Sequence, residues 1–151
     1  YPLYTALNNK VIVVEDSLIL DVGTRVGQTS IYLAQKNRVH SLEVRKKYHK
    51  TLSRLIKLLQ PEVSPFDLEG LAVQYTLRYD FILISDNEYF LNDDFFERMM
   101  IIFRFTHTKA LCYIETADVS ERAKEMAMAL RLNAKKTIVS GNSNFVHWTE
   151  Q

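Results

Sequence analysis

Residues 18–30, Leu-Ile-Leu-Asp-Val-Gly-Thr-Arg-Val-Gly-Gln-Thr-Ser, constrain the fold more than any other stretch. An apolar run without alternation suits a strand covered on both faces. It ends on Asp21. Gly23 and Gly27 then mark a turn, and a helical segment begins. Strand, glycine turn and helix in that order is how an open α/β sheet makes a ligand crevice at the carboxyl end of a strand.

The rest of the chain continues the same alternation. Residues 1–9 read as a helical turn and 10–14 as a strand or extended lead-in. After the strand 18–21 comes a helix over 29–36, with Ile31, Leu33 and Ala34 on its apolar side. Residues 38–44 form a second strand ending on an acid. Residues 46–59 form an amphipathic helix: Tyr48, Leu52, Leu55, Ile56 and Leu59 recur at helical steps. Lys46, Lys47, Lys50, Arg54 and Lys57 take its other face, which reads most simply as solvated. Pro61 ends that helix. Residues 62–67 suit a proline-interrupted edge strand, and 68–77 a connecting segment with helical character. Residues 79–86 are a buried strand. Asn92 or Asp93 caps a helix to about Phe105, and Asp118 with Glu121 forms a capping box for a helix to about Leu132. Residues 109–115 are a strand between them. Strands over 136–139 and 144–148, joined by the turn 140–143, close the chain as a hairpin. Alternating strands and helices imply a Rossmann-like, mostly parallel α/β sheet with helices on both faces. The hairpin adds antiparallel strands at one edge.

Length and composition set outer limits. A chain of 151 residues with 47% apolar and 25% charged residues is that of one ordinary globular domain. The expectation is a single domain over 1–151, with room for missing natural residues before Tyr1. Nineteen Lys and Arg against eighteen Asp and Glu give a net charge of +1, which argues against a nucleic-acid partner. No apolar run is long enough to span a membrane. Cys112 lies alone in an apolar strand and reads as a packed core thiol. A reduced cytoplasmic or nuclear setting follows as the expectation. His40, His49, His107 and His147 fit no metal spacing.

Asp21, Glu43, Asp67, Asp86 and Glu115 end strands, and in a parallel sheet those ends share one rim. Glu43 lies 22 positions after Asp21, where an acid grips a nucleoside ribose. The turn itself is neither the dinucleotide fingerprint nor a phosphate loop, because Arg25 interrupts the glycines and no Gly-Lys-Ser/Thr follows. An acid ahead of the first glycine repels pyrophosphate and suits an ammonium group. A nucleoside carrying an ammonium and a sulfonium is S-adenosylmethionine.

On these residues the chain resembles the class I, seven-β-strand S-adenosylmethionine-dependent methyltransferases. Residues 18–27 match their first motif, 39–44 with Glu43 the second, and 79–86 the fourth strand; 136–149 match the closing antiparallel hairpin. The resemblance implies cofactor contacts from Asp21, Gly23, Gly27, Glu43, Asp67 (toward adenine) and Asp86. A narrower resemblance lies in Asp86-Asn87-Glu88-Tyr89, which looks like the Asp-x-x-Tyr signature of the methyltransferase-like (family 16) protein-lysine methyltransferases. The aromatic opening over 1–7 looks like the segment that precedes their first strand. This implies a protein substrate, methyl transfer to a lysine amine, and Asp86 and Tyr89 shaping the acceptor end of the cleft. Packing under the next helix is the plainer reading of Tyr89.

Arg25 stands where that family places glycine. Pointing inward, it blocks the pocket; swung outward onto Asp21 or Asp86, it leaves a working site. Two rival readings follow. One is a catalytically inactive member of the fold that serves as a binding or scaffold subunit. The other is an RNA methyltransferase, resting on the basic face of the helix over 46–59.

Overall fold

The computed structural model describes residues 14–74 and 78–151. The readings of residues 1–9 as a helical turn and of 10–13 as a strand lie outside the described residues. Val14 is not part of a strand.

Seven strands form one sheet in the order β3-β2-β1-β5-β7-β9-β8. They are β1 (Leu18–Val22), β2 (Arg38–Leu42), β3 (Val63–Phe66), β5 (Phe81–Ile84), β7 (Ala110–Ile114), β8 (Ala134–Ser140) and β9 (Ser143–Thr149). The first five in that spatial order are parallel; β9 runs antiparallel to β7, and β8 antiparallel to β9. The Rossmann-like sheet with a terminal hairpin is therefore as expected. From β1 the chain winds outward through β2 to β3, then returns to place β5 on the other side of β1. That reversal is the topological switch point, and the crevice beyond the carboxyl ends of β1 and β5 is where such sheets bind ligands.

Helices α1 (Gln28–Leu33) and α2 (Lys46–Leu59) follow β1 and β2, and short α3 (Leu68–Ala72) follows β3. Short α4 (Glu88–Leu91) and α5 (Asp93–Phe103) follow β5, and α6 (Ser120–Ala129) follows β7. One sheet face packs Leu20, Ile82, Leu111 and Val146 against Leu71, Phe90, Met99, Phe103 and Met126. The other packs Ile19, Val39, Leu83, Cys112 and Phe145 with Leu33 and Ile56. The Phe and Met stripe of α5 is core, and Cys112 is fully buried. Pro65 is tolerated because β3 is the sheet edge.

Local corrections have local causes. The first helix stops at Leu33, whose carbonyl is taken by the Asn37 side-chain amide at 2.9 Å. The strand expected over 79–86 is broken at Asp80, whose carboxylate accepts the Leu18 N–H at 2.9 Å. Its first part, β4 (Arg78–Tyr79), pairs instead with β6 (His107–Thr108) in a separate two-stranded sheet. Asn92 caps α5, accepting the Phe95 N–H at 3.0 Å. The capping box at Asp118 does not form: its carboxylate accepts the Thr116 hydroxyl, and α6 starts later, at Ser120, without a side-chain cap. The hairpin turn tightens to Gly141 and Asn142 because both strands extend further than the apolar pattern indicated.

Candidate active site

The glycine turn is built by backbone that only some residues adopt. Gly23, Arg25 and Gly27 have φ of +81°, +59° and +97°. At Gly23 a Cβ would lie 2.7 Å from the Asp86 Cβ and 3.0 Å from the Tyr89 ring. At Gly27 it would meet the Leu52 side chain at 2.6 Å. Gly23 is thus required by close approach as well as by conformation, whereas Gly27 is required by its φ, since the Leu52 methyl it meets can shift. Arg25 adopts the left-handed region without that freedom, at a cost of about 1–2 kcal/mol.

Asp21 lies beneath the turn. It is fully buried, and its carboxylate accepts the hydroxyls of Ser30, at 2.6 Å, and Ser85. Thr24 donates to Ser30 at 2.9 Å, and Ser41 joins the same cluster. Burial pushes the Asp21 carboxyl up, while the hydroxyls of Ser30, Ser85 and Thr24 pull it down. In this arrangement Asp21 ties β1 to β2, β5 and α1.

Glu43 follows β2 directly and is 1% exposed. One oxygen accepts the Arg25 backbone N–H at 2.8 Å and Arg45 Nη2 at 2.6 Å. The other accepts Arg45 Nε at 2.9 Å, the Arg45 backbone N–H at 3.0 Å and the Tyr89 hydroxyl at 2.7 Å. Burial alone would raise its pKa; the hydrogen bonds from Arg45 and Tyr89 outweigh that and hold it below the usual carboxylate range.

Asp86, just beyond β5, takes Arg25 Nε at 2.9 Å and Arg45 Nη1 at 2.6 Å, and accepts the Glu88 N–H at 3.0 Å. It too is held low, burial being outweighed by Arg45, the Glu88 N–H and Arg25. Arg45 Nη1 also reaches Glu88 at 2.8 Å. Arg45, which sequence reasoning assigned no role, thus binds three carboxylates with a side chain only 9% exposed. A cation two residues beyond a strand-end acid was the available signal.

Tyr89 is fully buried. Its hydroxyl donates to Glu43 and accepts the Val44 N–H at 3.0 Å. Burial, then the Glu43 charge, pushes its pKa far up. It packs under the glycine turn and fixes Glu43. Asp67 is exposed and caps α3 through the Gly70 N–H at 2.7 Å. It faces a cavity of about 210 Å³ that Glu43, His49, Leu52, Pro65 and Phe66 also line. The structure therefore gathers the turn, Glu43, Asp86 and Tyr89 at the switch point. It sets Asp21 below them and Asp67 across the cavity from Glu43.

No protein-family model matches the sequence, and no curated protein does. Solved structures do match its shape. An S-adenosylmethionine-dependent methyltransferase from Aquifex aeolicus aligns over 97% of this chain and 88% of its own, at 14% identity and TM-score 0.69. A methyltransferase from Pyrococcus furiosus aligns over 99% and 82%, at 15% identity and TM-score 0.68. The magnesium protoporphyrin IX methyltransferase of Synechocystis PCC 6803, solved with its methyl donor bound, aligns over 99% and 77%, at 13% identity and TM-score 0.63. The chain has the seven-strand methyltransferase fold. Within that methyltransferase fold, Arg45 and Arg25 occupy the acids at the crevice, and the cavity beside Glu43 is below the roughly 300–1,000 Å³ usual for a small-molecule pocket.

Proposed function

We propose that the chain is an S-adenosylmethionine-dependent methyltransferase acting on a lysine amine of a protein. The observation that carries this reading is the convergence of the Gly23–Gly27 turn, Glu43 and Asp86 at the switch point of a methyltransferase-fold sheet. The donor set suits the cofactor. Glu43 can accept two ribose hydroxyls, Asp67, which lines the same cavity as Glu43, can accept from the adenine amino group, and Asp86 can accept an ammonium. When bound, the cofactor supplies an electrophilic methyl group on sulfur. The chain's own work is to orient a neutral amine toward it and to keep water out. Glu88, Asp93 and Asp94 stand beyond β5, each paired with an arginine (Arg45, Arg122 and Arg98), so a cationic substrate side chain would have to compete with those partners.

Arg45 must leave Glu43 before a ribose can take its place. The guanidinium therefore competes with the cofactor, and binding by the native chain is weak. Calorimetry with S-adenosylmethionine and S-adenosylhomocysteine tests this on the native chain and on Arg45→Ala. The expected result is binding in both, at least tenfold tighter in Arg45→Ala. Absence of heat from both folded proteins at millimolar ligand refutes it. The second reading, an inactive scaffold subunit, is favoured by the same bidentate Arg45–Glu43 pair, and that null result would leave it standing over the first.

A further inference from the structure

Helix α2 carries five cations, Lys46, Lys47, Lys50, Arg54 and Lys57, and no acid. At about 100° per residue they fall within an arc of roughly 100° on the helix wheel. All five residues are exposed. Among the described residues none of them forms an ion pair, whereas Lys36, Arg98, Lys109, Arg122 and Lys135 all do. Lys47 lies over the Tyr48 ring, which leaves its charge unneutralised. Without these five residues the chain is net acidic. The small net charge thus hides a segregated field, with one cationic face set against an acidic remainder.

We infer that this face of α2 docks the phosphodiester backbone of a single nucleic-acid strand. Lys46, Lys50 and Arg54 recur every four residues, about 6 Å apart along the axis, the scale of the phosphate repeat on an extended strand. Four of the five are lysines, which are depleted at protein–protein interfaces but serve as point-charge phosphate ligands. The cavity beside α2 is lined by His49, Leu52 and Ser53, and none of the five cations lines it. No exposed aromatic residue offers a stacking platform within it, so the contact reads backbone charge and not base sequence. The arc begins next to Arg45, so a docked strand would run up to the crevice mouth. The inference stands independently of whether the crevice binds a methyl donor.

Fluorescence anisotropy with a labelled 15-nucleotide uridine strand tests it on the full chain. Three to five neutralised phosphates give a slope of log K against log salt of about −2 to −3.5. The triple variant Lys50→Glu, Arg54→Glu, Lys57→Glu should lose at least tenfold in affinity at low salt. The single variants Lys50→Gln and Lys57→Gln, which perturb folding least, should each lose about two- to threefold. Lys124→Glu on α6 and Lys136→Glu on β8, away from the arc, should change affinity by less than twofold. Absence of binding at low salt overturns the inference, as does a slope near zero or full affinity in the triple variant. Tighter binding of an oligoglutamate peptide of equal charge, of anionic phospholipid vesicles or of a duplex than of the strand also overturns it.

Discussion

Arg45→Ala separates what holds the crevice together from what the crevice can bind. The side chains of Arg45, Glu43 and Asp86 are 9%, 1% and 10% exposed. Removing one partner of a buried ion pair costs about 3–5 kcal/mol, because the other charge is left without compensation. Asp86 keeps Arg25 at 2.9 Å, and Glu43 keeps the Tyr89 hydroxyl and two backbone N–H groups. The expected loss is therefore smaller than for a fully uncompensated charge, about 2–4 kcal/mol. For a chain of this length that lowers the melting temperature by roughly 5–15 °C.

The pH dependence carries the sign. In the native chain Glu43 and Asp86 both sit below their ordinary values. Their contribution to stability is full above the unfolded carboxylate range, near pH 4, and is lost as pH falls through the folded values. In Arg45→Ala the burial of Glu43 is opposed more weakly, so its pKa rises and protonation relieves the folded state. The stability gap between the two proteins should therefore narrow as pH falls from 7 toward 4.5. Urea unfolding at both pH values measures it. A gap under about 1 kcal/mol at pH 7, or one that stays constant or widens in acid, would show that Arg45 does not compensate a buried charge.

Three further substitutions probe the turn and its support. Arg25→Gly and Arg25→Ala both remove the Asp86 contact, but only glycine relieves the positive φ. Arg25→Gly should be more stable than Arg25→Ala by about 1 kcal/mol in urea unfolding, and equal stabilities would show that the backbone is unstrained there. Tyr89→Phe keeps the ring under Gly23 but strips the hydroxyl from Glu43 and from the Val44 N–H. It should cost about 1–2 kcal/mol, and a loss below about 0.5 kcal/mol would mean that water replaces the hydroxyl.

How much of this was legible in the chain depended on the range of the interaction. The mostly parallel sheet followed from strand–helix alternation, because buried parallel strands advertise themselves as unbroken apolar runs such as 81–84. The strand-end acids were legible for the same reason: in a parallel sheet a residue's place after a strand fixes the rim it stands on. What each acid does there was not legible. Asp21 and Glu43 look alike in sequence, yet one is tied down by serines from α1 and from just beyond β5 and the other is covered by a guanidinium. The capping box at Asp118 failed because a threonine two residues earlier offered a shorter connection.

Arg45 shows where legibility ends. Its pairing with Glu43 spans two residues, and a cation so close to a strand-end acid is visible in the sequence. Its pairing with Asp86 spans 41 residues and exists only because β5 returns beside β1. The first contact alone makes Arg45 a local ion pair at a helix start. The second draws the guanidinium across the switch point, so that it bridges the acids of two strands. The same reversal of strand order that opens a crevice in this sheet brings Arg45 into it. A ligand seeking Glu43 and Asp86 therefore meets Arg45 at both acids, and at Asp86 it meets Arg25 as well.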